Sequence, residues 1–304
     1  MRHSVRAWLA GTVALAFLPL AHADQTIEVR SARDLEALFV RLQYTPKDWH
    51  AGVRTVPRIY LADIPTTWRE KESKEITVAE KKQLFFRLLA PIVLYVNERI
   101  LEERVRVEAL SRQAAQGRPL SPSDQAWLRE LAAHYQVPPE RMDELLRRVD
   151  LIPPSLALAQ GASESGWGTS RFANEGNSLF GQWSWSGGIK PSEQRTAAHG
   201  DHRIAAFEST GMSVASYALN LNTHATYRDF RVKREEMRRQ GQPIRGEQLA
   251  DTMIRYSERG QVYVNELKAL MRQNRLDVAD EARLMQMEII RIVPKSLASP
   301  RQAN

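Results

Sequence analysis

The 304-residue sequence contains no cysteine. Disulfide bonds, thiol nucleophiles and thiolate metal sites are therefore excluded. Beyond the first 20 residues, no apolar run is long enough to span a bilayer, and there is no internal repeat or low-complexity tract. The remaining composition, 43% hydrophobic and 26% charged, is ordinary for a globular protein. A chain of this length can bury a core without disulfide bonds.

The N-terminal segment has the pattern of a secretory signal peptide. Arg2 and Arg6 form a basic region, residues 7–20 are apolar, and the small-residue sequence "AHA" at 21–23 is typical of a cleavage site. We expect cleavage before Asp24 and export of the mature chain; an uncleaved membrane anchor is the alternative. Losing both arginines lowers the formal net charge from +7 to +5. A basic exported protein suits an anionic cell-wall polymer or membrane surface, and export argues against nucleic acid.

Helical periodicity dominates the mature chain and predicts a mainly α fold. In the N-terminal part, residues 31–42 and 77–112 have apolar side chains at helical spacing. Thr77 and Glu80 form a capping box at the start of the longer helix. We assign residues 24–122 to an N-terminal helical region.

Residues 123–304 form the second predicted unit. A loop rich in Gly, Pro and Ser at 114–124 precedes it, and further helical patterns run through 213–274. The convincing β-like stretch is 181–208, which predicts a small hairpin. The proline-containing segment 45–68, in the N-terminal region, predicts either a strand or an extended strap across the other unit.

The stretch "SLALAQGAS" at 155–163 is almost wholly small or apolar, which predicts a helix buried on all sides. It is followed by "ESGWG", so the helix delivers Glu164 to its C-terminal end. The glycines after it indicate a sharp turn, because glycine is costly inside a helix and common at its end. A carboxyl group is rarely left at the end of a buried helix without a partner or a purpose.

A carboxyl group on an apolar wall can act as a general acid. Burial disfavours the charged form of Glu164, so its pKa should rise towards neutrality. Trp167 beside it offers a flat face for a sugar ring. Phe180, Trp183 and Trp185 follow in a stretch rich in Gly and Ser, where three aromatic rings are hard to bury together. A glycosidase combines such an acid with a second group on the other side of the sugar.

Two ordered blocks of sequence resemble a known family. "ALAQGASESGWGTSRFANEGNSLFG" resembles the catalytic region of the glucosaminidase domain, glycoside hydrolase family 73, which cleaves peptidoglycan. Residues 164–168 fill the family's E-S-G-W-G block, and residues 177–181 fill its N-x-L-F-G block. The likeness covers about 153–274. The upstream "VPRIYLADIPTTW" and the downstream "NLNTHATYRDFR" resemble the Bax branch, exported bacterial proteins with an extra N-terminal helical region.

The resemblance implies a lysozyme-like, mostly α fold with a small β lobe, in which Glu164 is the catalytic acid. A second carboxylate is expected from the β lobe, and Glu193 in "KPSEQR" is the candidate, ahead of Asp201 and Glu208. A tyrosine is expected from the motif that reads "YSERGQVY" here. This stretch lacks the family's Asp-Pro pair, and Tyr256 at its start is the expected functional residue.

The substrate groove is expected to hold five further side chains. They are Trp167, Asn177, Phe180, Trp183 and Trp185. For the aromatic members, packing in the core is the competing interpretation. His224 could be a base, although a capping role is equally consistent with its position. No His and Asp cluster has metal-ligand spacing and no phosphate-binding loop is present, so neither metal nor cofactor is expected.

The leading interpretation is an endo-β-N-acetylglucosaminidase that cuts peptidoglycan glycan strands, with Glu164 donating a proton to the leaving oxygen. On the other face of the sugar, Glu193 would activate water, or Tyr256 would steady the substrate's own acetamido group. A lytic transglycosylase and a catalytically weak wall-binding module are the alternatives. The sequence leaves the choice among the three open.

Overall fold

The computed structural model describes residues 25–191 and 202–295. Its helices confirm the mainly α prediction. The α-helices of the described chain are α1 (Ala32–Arg41), α2 (Pro46–His50), α3 (Ser73–Glu75), α4 (Val78–Ala115), α5 (Pro122–His134), α6 (Met142–Arg148), α7 (Pro154–Ser165), α8 (Arg171–Gly176), α9 (Thr210–Thr223), α10 (Arg228–Arg239), α11 (Gly246–Leu249) and α12 (Gln261–Gln273). A π-helix (Trp68–Glu72) leads into α3, and 3-10 turns follow α9 (Ala225–Tyr227), α11 (Ala250–Arg255) and α12 (Leu276–Glu281).

The two predicted helices of the N-terminal region begin at residues whose side chains cap them. The Ser31 side chain accepts the backbone N–H of Asp34 at the start of α1. Thr77 and Glu80 form the predicted capping box at the start of α4. These bonds satisfy backbone donors that have no partner within a helix, so the caps fix where each helix starts.

Helix α7 is the predicted buried helix, and it packs against the long helix α4. Every residue from Pro154 to Ala162 is buried. Gly161 makes the close approach possible, because a Cβ atom there would lie 2.7 Å from Cδ2 of Leu89 on α4. The aromatic ring of Phe180 lies 3.5 Å from the same Cβ position. The helix that carries Glu164 in its last turn is therefore fixed by neighbours from both predicted units.

A parallel sheet joins the two ends of the described chain. Its strands, in spatial order, are β1 (Gln25–Val29), β7 (Ile290–Pro294) and β3 (Ile59–Leu61). A second parallel pair is formed by β2 (Thr55–Val56) and β6 (Arg283–Leu284). The expectation that residues 181–208 were the one convincing β-like stretch was wrong, and β2 and β3 lie within 45–68, where a strand was one of the two predicted forms. These strands are short and pair over long sequence separations, so no hairpin turn marks them in the sequence.

The small hairpin predicted within residues 181–208 is present. Strands β4 (Trp183–Ser184) and β5 (Arg203–Ile204) pair antiparallel, with Trp183 opposite Ile204. A further bridge joins Ile189 to Ile204. The hairpin follows directly after the second sequence block.

The extended segment from Ala62 to the π-helix crosses the second unit as a strap. The Ala62 carbonyl accepts the N–H of Thr210, and Ile64 N–H donates to the Asn177 side chain at 2.9 Å. Hydrophobic core residues run without interruption from α1 through α4 and α7 to α12. Both predicted regions thus share one core. None of the described helices is long and apolar enough to cross a membrane.

Candidate active site

The backbone turns sharply in the left-handed sense after Glu164. Gly166, Trp167 and Gly168 have φ angles of 56°, 60° and 77°. Glycine adopts such angles freely, but a bulky side chain does so at a cost on the order of 1–3 kcal/mol. Trp167 is therefore held in place by the surrounding structure.

Trp167 faces the N-terminal region. Its ring centroid lies 5.8 Å from that of Phe85 and 5.2 Å from that of Phe86, both on α4 and both edge-on. The ammonium of Lys82 lies 5.0 Å from the ring. These contacts give the ring a packing role, and the sugar-stacking role expected for it stays a prediction.

Glu164 is partly buried, at the end of α7. Burial raises the pKa of the carboxyl group, while a hydrogen bond with Tyr263 and the positive charge of Arg259 oppose the rise. A Cβ atom on Gly181 would lie 3.8 Å from Oε2 of Glu164, so the backbone at the end of the second sequence block lies next to the carboxyl group. A carboxyl group with a raised pKa can hold a proton at higher pH than an ordinary glutamate.

A chain of buried hydrogen bonds leads to this carboxyl group. Tyr217 donates its hydroxyl to Oε1 of Gln160 at 2.6 Å, and Nε2 of Gln160 donates to the hydroxyl oxygen of Tyr263 at 3.0 Å. Tyr263 in turn lies close enough to the Glu164 carboxyl group to lower its pKa. Because the Gln160 amide occupies an acceptor site on the phenol oxygen, the phenol proton is left for Glu164. Gln160 lies one helical turn before Glu164 on α7.

The predicted Tyr256 lies beside this chain. Its ring stacks on Tyr263, with centroids 5.7 Å apart and planes within 3°. Its hydroxyl donates to the backbone carbonyl of Phe180 at 3.2 Å. Sequence reasoning gave Tyr263 no role, although it ends the same "YSERGQVY" motif. The available signal was its place early in α12, on the face with Leu267 and Met271, which are buried.

Two predicted binding residues are exposed on the hairpin. Trp183 is 52% exposed and Trp185 is 70% exposed. The ring of Trp183 stacks on His202, with centroids 4.3 Å apart, and the two tryptophans meet edge-on. A contiguous exposed apolar patch often marks a binding site, whereas a single exposed ring does not, and these two rings are adjacent. They form an aromatic surface two residues beyond Gly181.

The other two predicted binding residues are buried. Asn177 is completely buried, and its amide donates to Asp63 and to the carbonyl of Phe207. Phe180 is 2% exposed and stacks on Tyr217 at 3.9 Å between centroids. Both side chains therefore contact protein in this structure: Asn177 fastens the strap, and Phe180 packs under the hydrogen-bond chain.

Glu193 and Asp201 lie outside the described residues. Glu208 is described and exposed. His224 caps the 3-10 turn after α9, where its Nδ1 accepts the N–H of Thr226. Within residues 25–191 and 202–295, no group of three or more His, Asp or Glu side chains could hold a metal ion.

Comparison with known proteins shows which family the chain belongs to. Residues 140–276 match the glucosaminidase family, described as mannosyl-glycoprotein endo-beta-N-acetylglucosaminidase. Protein bax of Escherichia coli (strain K12) is 32% identical over 205 residues, covering 66% of this chain and 72% of that protein. The catalytic domain of the autolysin Auto from Listeria monocytogenes aligns at 19% identity over 56% of this chain and 95% of that chain, with a TM-score of 0.30.

The family match defines a glycoside hydrolase that acts on peptidoglycan. The chain belongs to the glucosaminidase family, glycoside hydrolase family 73, and to its Bax-like branch.

Proposed function

We propose that this protein is an endo-β-N-acetylglucosaminidase that hydrolyses peptidoglycan glycan strands, with Glu164 as the general acid. The supporting observation is the placement of Glu164 at the end of a buried helix, where burial raises the pKa of its carboxyl group. A general acid must be protonated before the reaction, and a raised pKa favours that state near neutral pH. Glu164 is the one acidic residue of the E-S-G-W-G block, and this block lies within the family match.

In the proposed step, the Glu164 carboxyl gives its proton to the glycosidic oxygen as the bond from that oxygen to the sugar C1 breaks. The resulting carboxylate is negatively charged. The Tyr263 hydroxyl and the Arg259 guanidinium both favour the charged form of this group. Burial therefore supports proton donation, and the two neighbours support the carboxylate that donation leaves behind.

The positive charge that develops at C1 needs a partner on the opposite face of the sugar. We assign this role to Glu193, as base or nucleophile, on the family pattern alone. The rival is the acetamido group of the substrate, steadied by Tyr256. Among the described residues, no carboxyl group contributes to the pKa of Glu164. Glu193 lies outside the described residues, so its role as the second carboxylate stays a proposal.

The substrate would lie across the hairpin. Trp183 and Trp185 expose aromatic faces that suit stacking against sugar rings, and they follow Gly181, which borders Glu164. Asn177 and Phe180 act in this proposal as supports of the groove, because both are buried. Trp167 supports the catalytic turn from behind.

The proposal includes export, since peptidoglycan lies outside the cytoplasm. The predicted signal peptide, with cleavage before Asp24, would deliver the mature chain to the periplasm or cell wall. Strand β1 begins at Gln25, next to that site. N-terminal sequencing of the protein from the cell envelope tests this step: a protein that retains Arg2 and Arg6 would favour the anchored alternative.

Mass analysis of soluble fragments tests the activity. Purified mature protein is incubated with peptidoglycan, and the released fragments are separated and weighed. Hydrolysis at N-acetylglucosamine predicts fragments that end in a reducing N-acetylglucosamine. A fragment lighter by one water, with an anhydro sugar end, would identify a lytic transglycosylase. Binding to peptidoglycan without any release would identify a wall-binding module.

A further inference from the structure

The left-handed turn after Glu164 has all of its carbonyl groups paired. The Gly166 carbonyl accepts the Thr169 hydroxyl at 2.6 Å, and the Gly168 carbonyl accepts the Asn174 amide at 2.7 Å. The Trp167 carbonyl accepts Nε1–H of Trp68 at 3.3 Å. This last donor comes from the π-helix of the N-terminal region, outside residues 140–276 that match the family.

Trp68 also closes the space next to the turn. A Cβ atom on Gly168 would lie 3.3 Å from Nε1 of Trp68 and 3.7 Å from a ring carbon of Phe85. The indole of Trp68 therefore packs directly against the glycine backbone while it donates to the neighbouring carbonyl. The second glycine of the E-S-G-W-G block is needed both for its φ angle of 77° and for this contact.

A side chain of α8, Asn174, fixes the position of the π-helix that carries Trp68. The Oδ1 atom of Asn174 accepts the backbone N–H of Arg69 at 3.1 Å, while its Nδ2 atom donates to the Gly168 carbonyl. One buried amide thus joins the π-helix to the turn. The Asn177 amide fastens the strap further upstream, at Ile64.

We propose that Trp68 is a positioning residue for the catalytic acid. It holds the strained Trp167 conformation from the N-terminal region, and Trp167 in turn fixes the backbone that follows Glu164. The N-terminal region is thereby a component of the active site's framework. This inference rests on the proposed role of Glu164, and it adds a residue that lies outside the family match.

The test is Trp68→Phe in the full mature chain. Phenylalanine keeps an aromatic ring but removes the N–H donor, so the Trp167 carbonyl loses its partner. Trp127→Phe is the matched control, because Trp127 on α5 packs under Arg106 and does not contact the turn. Initial rates on soluble peptidoglycan glycan fragments give kcat and KM. We expect kcat of Trp68→Phe to fall roughly tenfold with little change in KM, since misplacement by 1 Å can cost about 100-fold.

Hydrogen–deuterium exchange gives a second readout that does not depend on activity. Amides of residues 164–170 should exchange faster in Trp68→Phe than in wild type or Trp127→Phe, with the rest of α7 unchanged. A merely structural role would lower the melting temperature but leave kcat per folded molecule and this local exchange as in wild type. That result would overturn the proposal.

The two proposals fail in different ways. If wild type releases fragments and Glu164→Gln does not, the role of Glu164 stands, and a normal kcat for Trp68→Phe sinks the positioning role alone. If wild type releases nothing, the proposed function fails. Exchange at residues 164–170 then decides whether Trp68 holds the turn, and unchanged exchange refutes it.

Discussion

The Tyr263 hydroxyl lowers the pKa of the Glu164 carboxyl group, although the two residues lie on different helices and far apart in the sequence. The Gln160 amide donates to the same phenol oxygen at 3.0 Å, which directs the phenol proton towards Glu164. The Tyr263 hydroxyl favours the charged carboxylate, whereas burial favours the neutral acid. The pKa of the proposed general acid is thus set by two opposing effects that mutations can separate.

Glu164→Gln should abolish turnover and leave the fold intact. Glutamine has nearly the same shape but cannot donate a proton to the leaving oxygen, and general acid catalysis contributes about 100- to 10,000-fold. Fragment release from peptidoglycan measures the loss, and thermal unfolding checks the fold. Glu130→Gln, on an exposed residue of α5, is the control and should retain activity. Normal release by well-folded Glu164→Gln would refute the assignment.

Tyr263→Phe should move the basic limb of the pH–rate profile to higher pH. Glu164 is active when protonated, so the basic limb of kcat/KM follows its pKa in the free enzyme. Removing a hydrogen bond that lowers this pKa leaves burial less opposed, and the pKa rises further. The measurement is kcat/KM across pH for wild type and variant.

Tyr256→Phe is the matched control for that experiment. Its hydroxyl donates to the Phe180 carbonyl, and Tyr256 does not contribute to the pKa of Glu164. We expect the basic limb to stay in place. A shift in Tyr256→Phe with none in Tyr263→Phe would contradict the assignment of Tyr263 as the tyrosine that acts on Glu164.

Trp183→Ala and Trp185→Ala should weaken binding to glycan strands with little effect on stability. Both rings are exposed, so truncation leaves no cavity. Phe180→Ala is the contrast, because this ring is 2% exposed and its loss should cost about 3–5 kcal/mol of unfolding free energy. Pull-down with insoluble peptidoglycan and thermal unfolding separate the two effects. Unchanged binding by both tryptophan variants would remove the hairpin from the substrate groove.

Glu193→Gln tests the second catalytic position. If Glu193 acts on the opposite face of the sugar, the variant should lose activity on the scale of Glu164→Gln. The peptidoglycan fragments that this variant releases after long incubation would show whether it still cleaves the strand in the same way. Near-normal activity of Glu193→Gln beside an inactive Glu164→Gln would remove it from the mechanism, and the substrate acetamido group would take its place.

Gly161→Ala should destabilise the protein by about 1–3 kcal/mol, because a methyl group there would overlap Leu89 on α4. Gly187→Ala is the matched control, since a Cβ atom at Gly187 meets nothing within 4 Å. Chemical unfolding of the two variants gives the difference. Equal stability would mean that α4 and α7 can move apart without cost.

The sequence by itself determined the local elements of the site. The small and apolar run before Glu164 could only be stable as a buried helix, and the glycines after it required a turn. The caps at Ser31 and Thr77 likewise depend on residues three positions apart. These features arise from contacts along a few residues of chain, which composition and spacing record directly.

The tertiary structure decided which side chains face the carboxyl group. A left-handed turn reverses the direction of Trp167, so its ring packs on α4. The packing of α12 brings Tyr263 to Glu164. The hydroxyl of Tyr256 instead donates to the Phe180 carbonyl. The pairing of β7 with β1 and β3 was missed for the same reason, although a strand was one of the two predicted forms of the segment that contains β3. Such contacts join residues that are distant in sequence, and no local pattern encodes the orientation of one packed element against another.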